Sequence, residues 1–151
     1  MEESHLEHLT ALDMNPEVRA YFPNGISSQA ETQKRIKRNR KSFEEKGYCD
    51  FAVIHKQSEL FVGRAGFGDI EGGEIEVGYV LLKEFWGRGL AQEALKALLA
   101  WAQESIQAKR ILAYAPVAHF ASLNVMKKCD MRYLKTEKIL DINYVFYEYR
   151  L

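Results

Sequence analysis

The stretch FWGRGLAQEAL (Phe85 to Leu95) places two glycines around an arginine and then turns helical, directly after a strand-like segment, EIEVGYVLL (Glu74 to Leu82). Glycine at such a junction lets the backbone bend sharply or lets another group come close. A glycine-relieved turn leading into a helix aims several unpaired N–H groups and the positive end of the helix dipole at one point. Gly87 and Gly89 therefore outline an anion cradle, and Arg88 adds a mobile full charge suited to phosphate. A tight turn that merely packs a helix on a sheet would read the same way. Other phosphate motifs fit poorly. There is no Gly-Lys-Ser/Thr, which excludes a Walker loop, and no Rossmann G-x-G-x-x-G followed by a ribose-binding acid. The glycines of Gly63-Arg64-Ala65-Gly66-Phe67-Gly68 lie inside a strand-like hairpin with no helix after it, and read as a bulge or close-packing site.

The elements that must position this turn follow from periodicity. Residues 2 to 14 read as a short amphipathic helix, with Leu6, Leu9 and Leu12 at helical spacing. Ser28 followed by Glu31 is a capping-box pattern, so a second helix starts there, runs through KRIKRNRKSFEE and stops at Gly47. Its basic run, Lys34 to Lys41, is explained by a solvated helix face, with Ile36 and Phe43 on the apolar side. Tyr48 to His55 and Leu60 to Phe67 suggest a hairpin, and Glu74 to Leu82 a third strand. On that strand Ile75, Val77, Tyr79 and Leu81 fall on one side, and Glu74, Glu76, Gly78 and Val80 on the other. A helix follows from Leu90, then a buried strand from Arg110 to Ala115 ended by Pro116, a helix from Phe120 to Lys128, and a closing pair over Met131 to Lys138 and Ile142 to Leu151. Helix-to-strand crossings in the second half imply that part of the sheet is parallel. The glycine turn then lies at the carboxyl end of a strand, where open sheets place ligands.

At 151 residues the chain suits one compact unit, and 47% hydrophobic with 28% charged residues is ordinary globular composition. Lys plus Arg equals Asp plus Glu at 21 each, so no global field favours nucleic acid or membrane as a partner. Cys49 and Cys129 follow no metal-ligand spacing and read as reduced thiols in a cytoplasm. His5 and His8 find no third metal ligand in the sequence, and no metal is expected.

The run from Glu76 to Ala94, EVGYVLLKEFWGRGLAQEA, resembles the core motif of the GCN5-related N-acetyltransferases (GNAT), and within them the RimJ/RimL-type branch. A second block, Ala121 to Met131 (ASLNVMKKCDM), resembles the family's "Asn-x-x-Ser-x-x-Val-x-Glu-Lys-x-Gly-Phe" segment. His119 stands at the family's asparagine, Lys127 at its glutamate, and Asp130-Met131 at its Gly-Phe. The resemblance implies an α/β fold over residues 1–151: a mixed, twisted, partly splayed sheet with helices on both faces. The family's usual first strand is missing from this pattern. It further implies acetyl-CoA as co-substrate, with its pyrophosphate wrapped by Trp86, Gly87, Arg88, Gly89, Leu90 and Ala91. The pantetheine arm would pair with the strand edge at Val80, Leu81 and Leu82, and His119 could donate a hydrogen bond to it. The implied partner is an amine acceptor, a small molecule or a protein N-terminus, and a homodimer is the candidate assembly.

Acetyl transfer to an amine needs a base, an oxyanion donor and a proton for the leaving thiolate. Glu76 is the candidate base, with Glu74 on the same face as the fallback; a solvated strand glutamate would look alike. The backbone N–H near Val80 or Leu81 is the candidate oxyanion donor. Ser122 is the candidate to hold or protonate the thiol, unless it only satisfies a first-turn N–H, and Tyr133 is the alternative. Cys129 fits a small core residue better than a nucleophile. The rival functional class is a non-catalytic acyl-CoA-binding module of the same fold. A third, RNA binding through the basic helix, lacks the aromatic signature of RNA modules.

Overall fold

A computed structural model describes all 151 residues. After one 3-10 turn the chain forms α1 (Leu6–Met14) and α2 (Gln29–Lys46), then the strands β1 (Asp50–Ile54), β2 (Phe61–Ile70) and β3 (Glu74–Leu81). There follow α3 (Leu90–Ser105), β4 (Arg110–Pro116), α4 (Phe120–Lys128), β5 (Arg132–Ile139) and β6 (Ile142–Arg150). No helix is long and apolar enough to cross a membrane.

Local signals set the helix ends. The Ser28 hydroxyl accepts from the Glu31 N–H, and the Glu31 carboxylate accepts from the Ser28 N–H at 2.7 Å, which closes the capping box expected there. Gly47, at φ +79°, ends α2 in the left-handed conformation that a side chain resists. Asp130 ends α4 the same way at φ +61°, so the aspartate at the family's glycine position is tolerated in place. The glycines of β2 serve close packing: a Cβ on Gly63 would stand 2.1 Å from the Val80 carbonyl oxygen, and one on Gly66 2.2 Å from that of Cys49.

The six strands form one sheet in the order β1-β2-β3-β4-β6-β5. Only β3 and β4 run parallel; β6 inserts antiparallel between β4 and β5, so the later crossing yields no second parallel pair. One face of the sheet packs on α3 and α4, with Val77, Leu95, Leu99, Ile111, Ala113 and Met126 among the buried residues. The other face packs on α1 and α2 through Leu9, Leu12, Ile36, Phe61 and Val80. Val80, on the same face as Glu76, is thereby a core residue, because the first two helices cover that end of the strand. Phe43, expected to share the apolar stripe with Ile36, is half exposed and meets the edge of Phe51.

Within the basic run one cation turns inward. Arg35 donates at 2.7 Å to Asp13, a carboxylate with no exposed surface, which also faces Arg64 at 3.5 Å and Arg19 at 3.8 Å. Arg64 reaches on to Asp50 at 3.0 Å. This cluster ties α1, α2 and β2 together beneath the loop that joins the helices. Removing one partner from a buried ionic group strands the others and costs about 3–5 kcal/mol, whereas an exposed pair such as Lys41–Glu45 is worth under about 1 kcal/mol. Asp13→Ala should accordingly lower the free energy of urea unfolding by several kcal/mol, and Lys41→Ala should leave it nearly unchanged. Equal effects in the two variants would deny the cluster its role.

Candidate active site

β3 and β4 pair at only two positions, Ile75 with Ile111 and Glu76 with Leu112. Beyond Glu76, β3 continues along β2 to Leu81, and β4 continues along β6 to Pro116, so the strands part and leave a cleft. The Leu82 N–H donates to the Val62 carbonyl of β2 at 2.9 Å. With the regular antiparallel register of β2 and β3, residues 82, 80 and 78 bond toward β2, and the N–H and C=O groups of Tyr79 and Leu81 face the cleft. Of the three residues expected at this edge, Leu81 alone turns its backbone to the gap. Val80 and Leu82 spend theirs on the sheet, and Tyr79, which the sequence reading placed on the same side as Ile75 and Val77 with no role, joins Leu81. The Leu81 carbonyl already accepts a 2.8 Å bond from the indole Nε1 of Trp86, which pins the half-exposed Trp86 at the cleft end.

The glycine turn stands at that same end. Gly87 and Gly89 have φ of +72° and +78°, and Gly89 caps α3. No acceptor in the chain takes the backbone N–H of any residue from Gly87 to Gln92; the first N–H of the segment to be bonded is that of Glu93, to Gly89. A Cβ on Gly87 or Gly89 would meet nothing within 4 Å. Six free N–H groups, a helix N-terminus and open space are features that would suit a polyanion. Arg88 lies with its guanidinium 5.5 Å from the Phe85 ring, beside this opening, and Leu90 and Ala91 pack beneath it against Val62, Leu81 and Phe85.

The two glutamates of β3 have opposite surroundings. Glu74 is held by Arg110, with bonds from Nη2 at 2.6 Å and from Nε at 3.2 Å, and the guanidinium keeps its carboxyl below the usual range. It cannot serve as the fallback base while that pair stands. Glu76 sits at the apex of the cleft, where burial pushes its carboxyl up, partly opposed by the Tyr114 hydroxyl. Next to it on the same face, Gly78 leaves open space where any side chain would stand between Glu76 and Val80.

On the opposite face, the Tyr79 hydroxyl donates to the Ser122 carbonyl at 3.0 Å and lies 3.0 Å from the Ser122 Oγ. Burial, the largest influence, pushes the Tyr79 phenol up to about 12, so it stays protonated at neutral pH. Ser122, half-buried in the first turn of α4, is thus part of a pair, and the missed member is Tyr79. The pattern "Glu-x-Gly-Tyr" held the signal, but a tyrosine in step with Ile75 and Val77 reads as core. Tyr133 is exposed on β5 and bonds Thr136 instead. His119 precedes α4 at the lip of β4 and stacks on Tyr21, with ring centroids 4.0 Å apart; burial lowers its pKa. Cys129 is buried, its thiol 3.6 Å from the Gln92 carbonyl and pushed up by burial, as suits a core residue.

Comparison with known proteins supports the same picture. Residues 1–132 match the model of the acetyltransferase (GNAT) domain. The YkkB protein of Bacillus subtilis is 29% identical over 125 residues, covering 81% of this chain and 72% of YkkB. Among solved structures, the acetyltransferase that modifies the N-terminal serine of ribosomal protein L7/L12 in Salmonella typhimurium superposes with a TM-score of 0.85 at 21% identity, over 99% of this chain and 91% of that one. The spermidine N-acetyltransferase of Vibrio cholerae, solved with CoA and spermine, gives 0.83 at 15% identity over 99% and 92%. With the family model spanning most of the chain and the splayed sheet and glycine cradle in place, the protein belongs to the GNAT acetyltransferase family.

Proposed function

We propose that this enzyme acetylates the α-amino group of a polypeptide N-terminus by direct attack within a ternary complex, with Glu76 as the base. The observation that carries this reading is the state of Glu76. It is the carboxylate at the cleft apex, it has no ion-pair partner, and its pKa is raised. An α-amine has a reference pKa near 8 and a lysine or polyamine amine one above 10, so a carboxylate base suits the α-amine better. A polyamine would also need carboxylates for its further charges, and the nearby Glu74, Asp50 and Glu17 are already paired with Arg110, Arg64 and Lys83.

The residues fit acetyl-CoA. The N–H groups of Gly87 to Gln92 and the Arg88 charge suit its diphosphate, and the free edge at Tyr79 and Leu81 suits the amide-bearing arm, as an added strand would. When bound, it supplies a thioester carbonyl and a thiolate leaving group. Glu76 accepts the proton of the incoming ammonium, directly or through water. The cleft-facing N–H of Tyr79 or Leu81 donates where negative charge develops. The Tyr79 hydroxyl, kept protonated and bonded to Ser122, holds the proton that the thiolate takes up. A cytoplasmic setting fits the two free thiols.

Thiol release from acetyl-CoA, measured with an N-terminal-serine peptide and with spermidine, tests the acceptor. Higher kcat/KM on the peptide supports the reading and the reverse order overturns it. Glu76→Gln should lower kcat about 100-fold or more with acetyl-CoA affinity retained. Because burial raises the Glu76 pKa, parental kcat/KM should climb with pH through a limb lying above the ordinary carboxylate value near 4.3, and the variant should lack that limb. Gly89→Val forces a β-branched residue to φ +78° and fills the cradle. Gly72→Val, at φ +86° in an open turn, carries the same backbone strain elsewhere. Calorimetric binding of acetyl-CoA should vanish in the first and persist in the second; a matching affinity in both would remove the cradle.

A further inference from the structure

Two contacts, one at each lip of the cleft, involve the same short segment of the loop between α1 and α2. Glu17 pairs at 2.5 Å with Lys83, two residues after β3 ends. Tyr21 stacks on His119, three residues after β4 ends, with the rings within 9° of parallel. Glu17 and Tyr21 are four residues apart, so the chain between them runs from one lip to the other. We infer that Glu17–Tyr21 is a strap across the cleft mouth, and that Tyr21, latched on His119, determines which acceptors reach Glu76.

The construction of the strap supports this role. Its base is pinned. The Asn15 side chain accepts from the N–H groups of Glu17 and Val18, and Val18 is buried against Leu9 and Leu12. Arg19 is buried, donates at 2.7 Å to the Gly25 carbonyl, lies 3.9 Å from the Phe22 ring centroid, and faces Asp13. Its outer residues are only lightly fastened. Glu17 and Lys83 are both more than half exposed, and Tyr21 is 42% exposed. An exposed ion pair and one aromatic stack are each worth no more than about a tenfold bias toward the shut form. Such a latch can yield to an incoming amine and close again behind it, keeping water from the thioester site. A peptide end with a small first side chain passes beneath the strap, whereas an amine carrying an aromatic ring close to its nitrogen meets the Tyr21 ring.

This inference rests on the acetyl-transfer reading, and the experiment separates the two. Tyr21→Ala and Tyr21→Phe would be compared with the parent in three assays: calorimetric binding of acetyl-CoA, thiol release with no amine present, and the kcat/KM ratio for benzylamine over ethylamine. Tyr21→Phe keeps the stack and should match the parent. Tyr21→Ala should bind acetyl-CoA as the parent does, hydrolyse it about tenfold faster without amine, and raise the benzylamine ratio by a similar factor. His119 should also react faster with diethyl pyrocarbonate in Tyr21→Ala, since its ring loses its cover. Failure of every form to bind acetyl-CoA would overturn the acetyl-transfer reading. Normal binding with unchanged hydrolysis and an unchanged amine ratio in Tyr21→Ala would overturn the strap alone.

Discussion

The functional geometry depends on the parting of two parallel strands. β3 is held by β2 over eight register positions and β4 by β6 over seven, while the two share only two with each other. Each strand therefore follows its antiparallel partner, and sheet twist separates them past Glu76 and Leu112. A buried strand edge with unpaired N–H and C=O groups is costly in most proteins. Here the edge at Tyr79 and Leu81 opens on the cleft, and Trp86 satisfies one of its carbonyls. The same parting leaves the N-terminus of α3 free to aim its N–H groups along the gap.

The Asp13 cluster serves position more than stability. Three guanidiniums around one fully buried carboxylate are not an economical way to hold helices, since apolar side chains of like volume commonly do as well. What the ions add is direction. Arg35 comes from α2, Arg64 from β2 and Arg19 from the loop between the helices, and all three converge on the last turn of α1. That convergence orients the loop whose outer residues reach the cleft lips. A purely apolar contact, being non-directional, would leave the loop free to slide.

Much of the fold was legible because it is written in local chemistry. Ser28 with Glu31, Gly47, and the span of α4 are each readable within one helical turn, and the structure places them where the pattern does. The glycine turn was legible for the same reason, since Gly87 and Gly89 announce a backbone conformation. What escaped were pairings between distant segments. Tyr79 meets Ser122 across 43 residues, Arg35 meets Asp13 across 22, and Tyr21 meets His119 across two loops. None leaves a periodic trace. Worse, two of these residues imitate something else: Tyr79 keeps step with core residues, and Arg35 sits inside a run of solvated cations. Phe43 shows the converse, an apolar residue at the right spacing that stays half exposed, its one aromatic neighbour being Phe51 on the outermost strand β1.

Glu74 and Glu76 make the strongest case for reading sites from surroundings instead of residue types. They share a strand, a face and a side chain, and lie two positions apart. Arg110 grips the first in a bidentate pair, with Glu148 and Arg150 extending the network, so its charge is spent and its proton affinity falls. The second lies where β4 begins to diverge and no cation reaches bonding distance, so burial dominates and its proton affinity rises. A general base must be both ionised and willing to take a proton, which asks for a pKa nearer the working pH than a free carboxylate has. Moving one pair of residues along the strand converts a structural anchor into a group with that property. The parting of the strands thus decides which carboxylate stays unpaired as well as where the cleft opens.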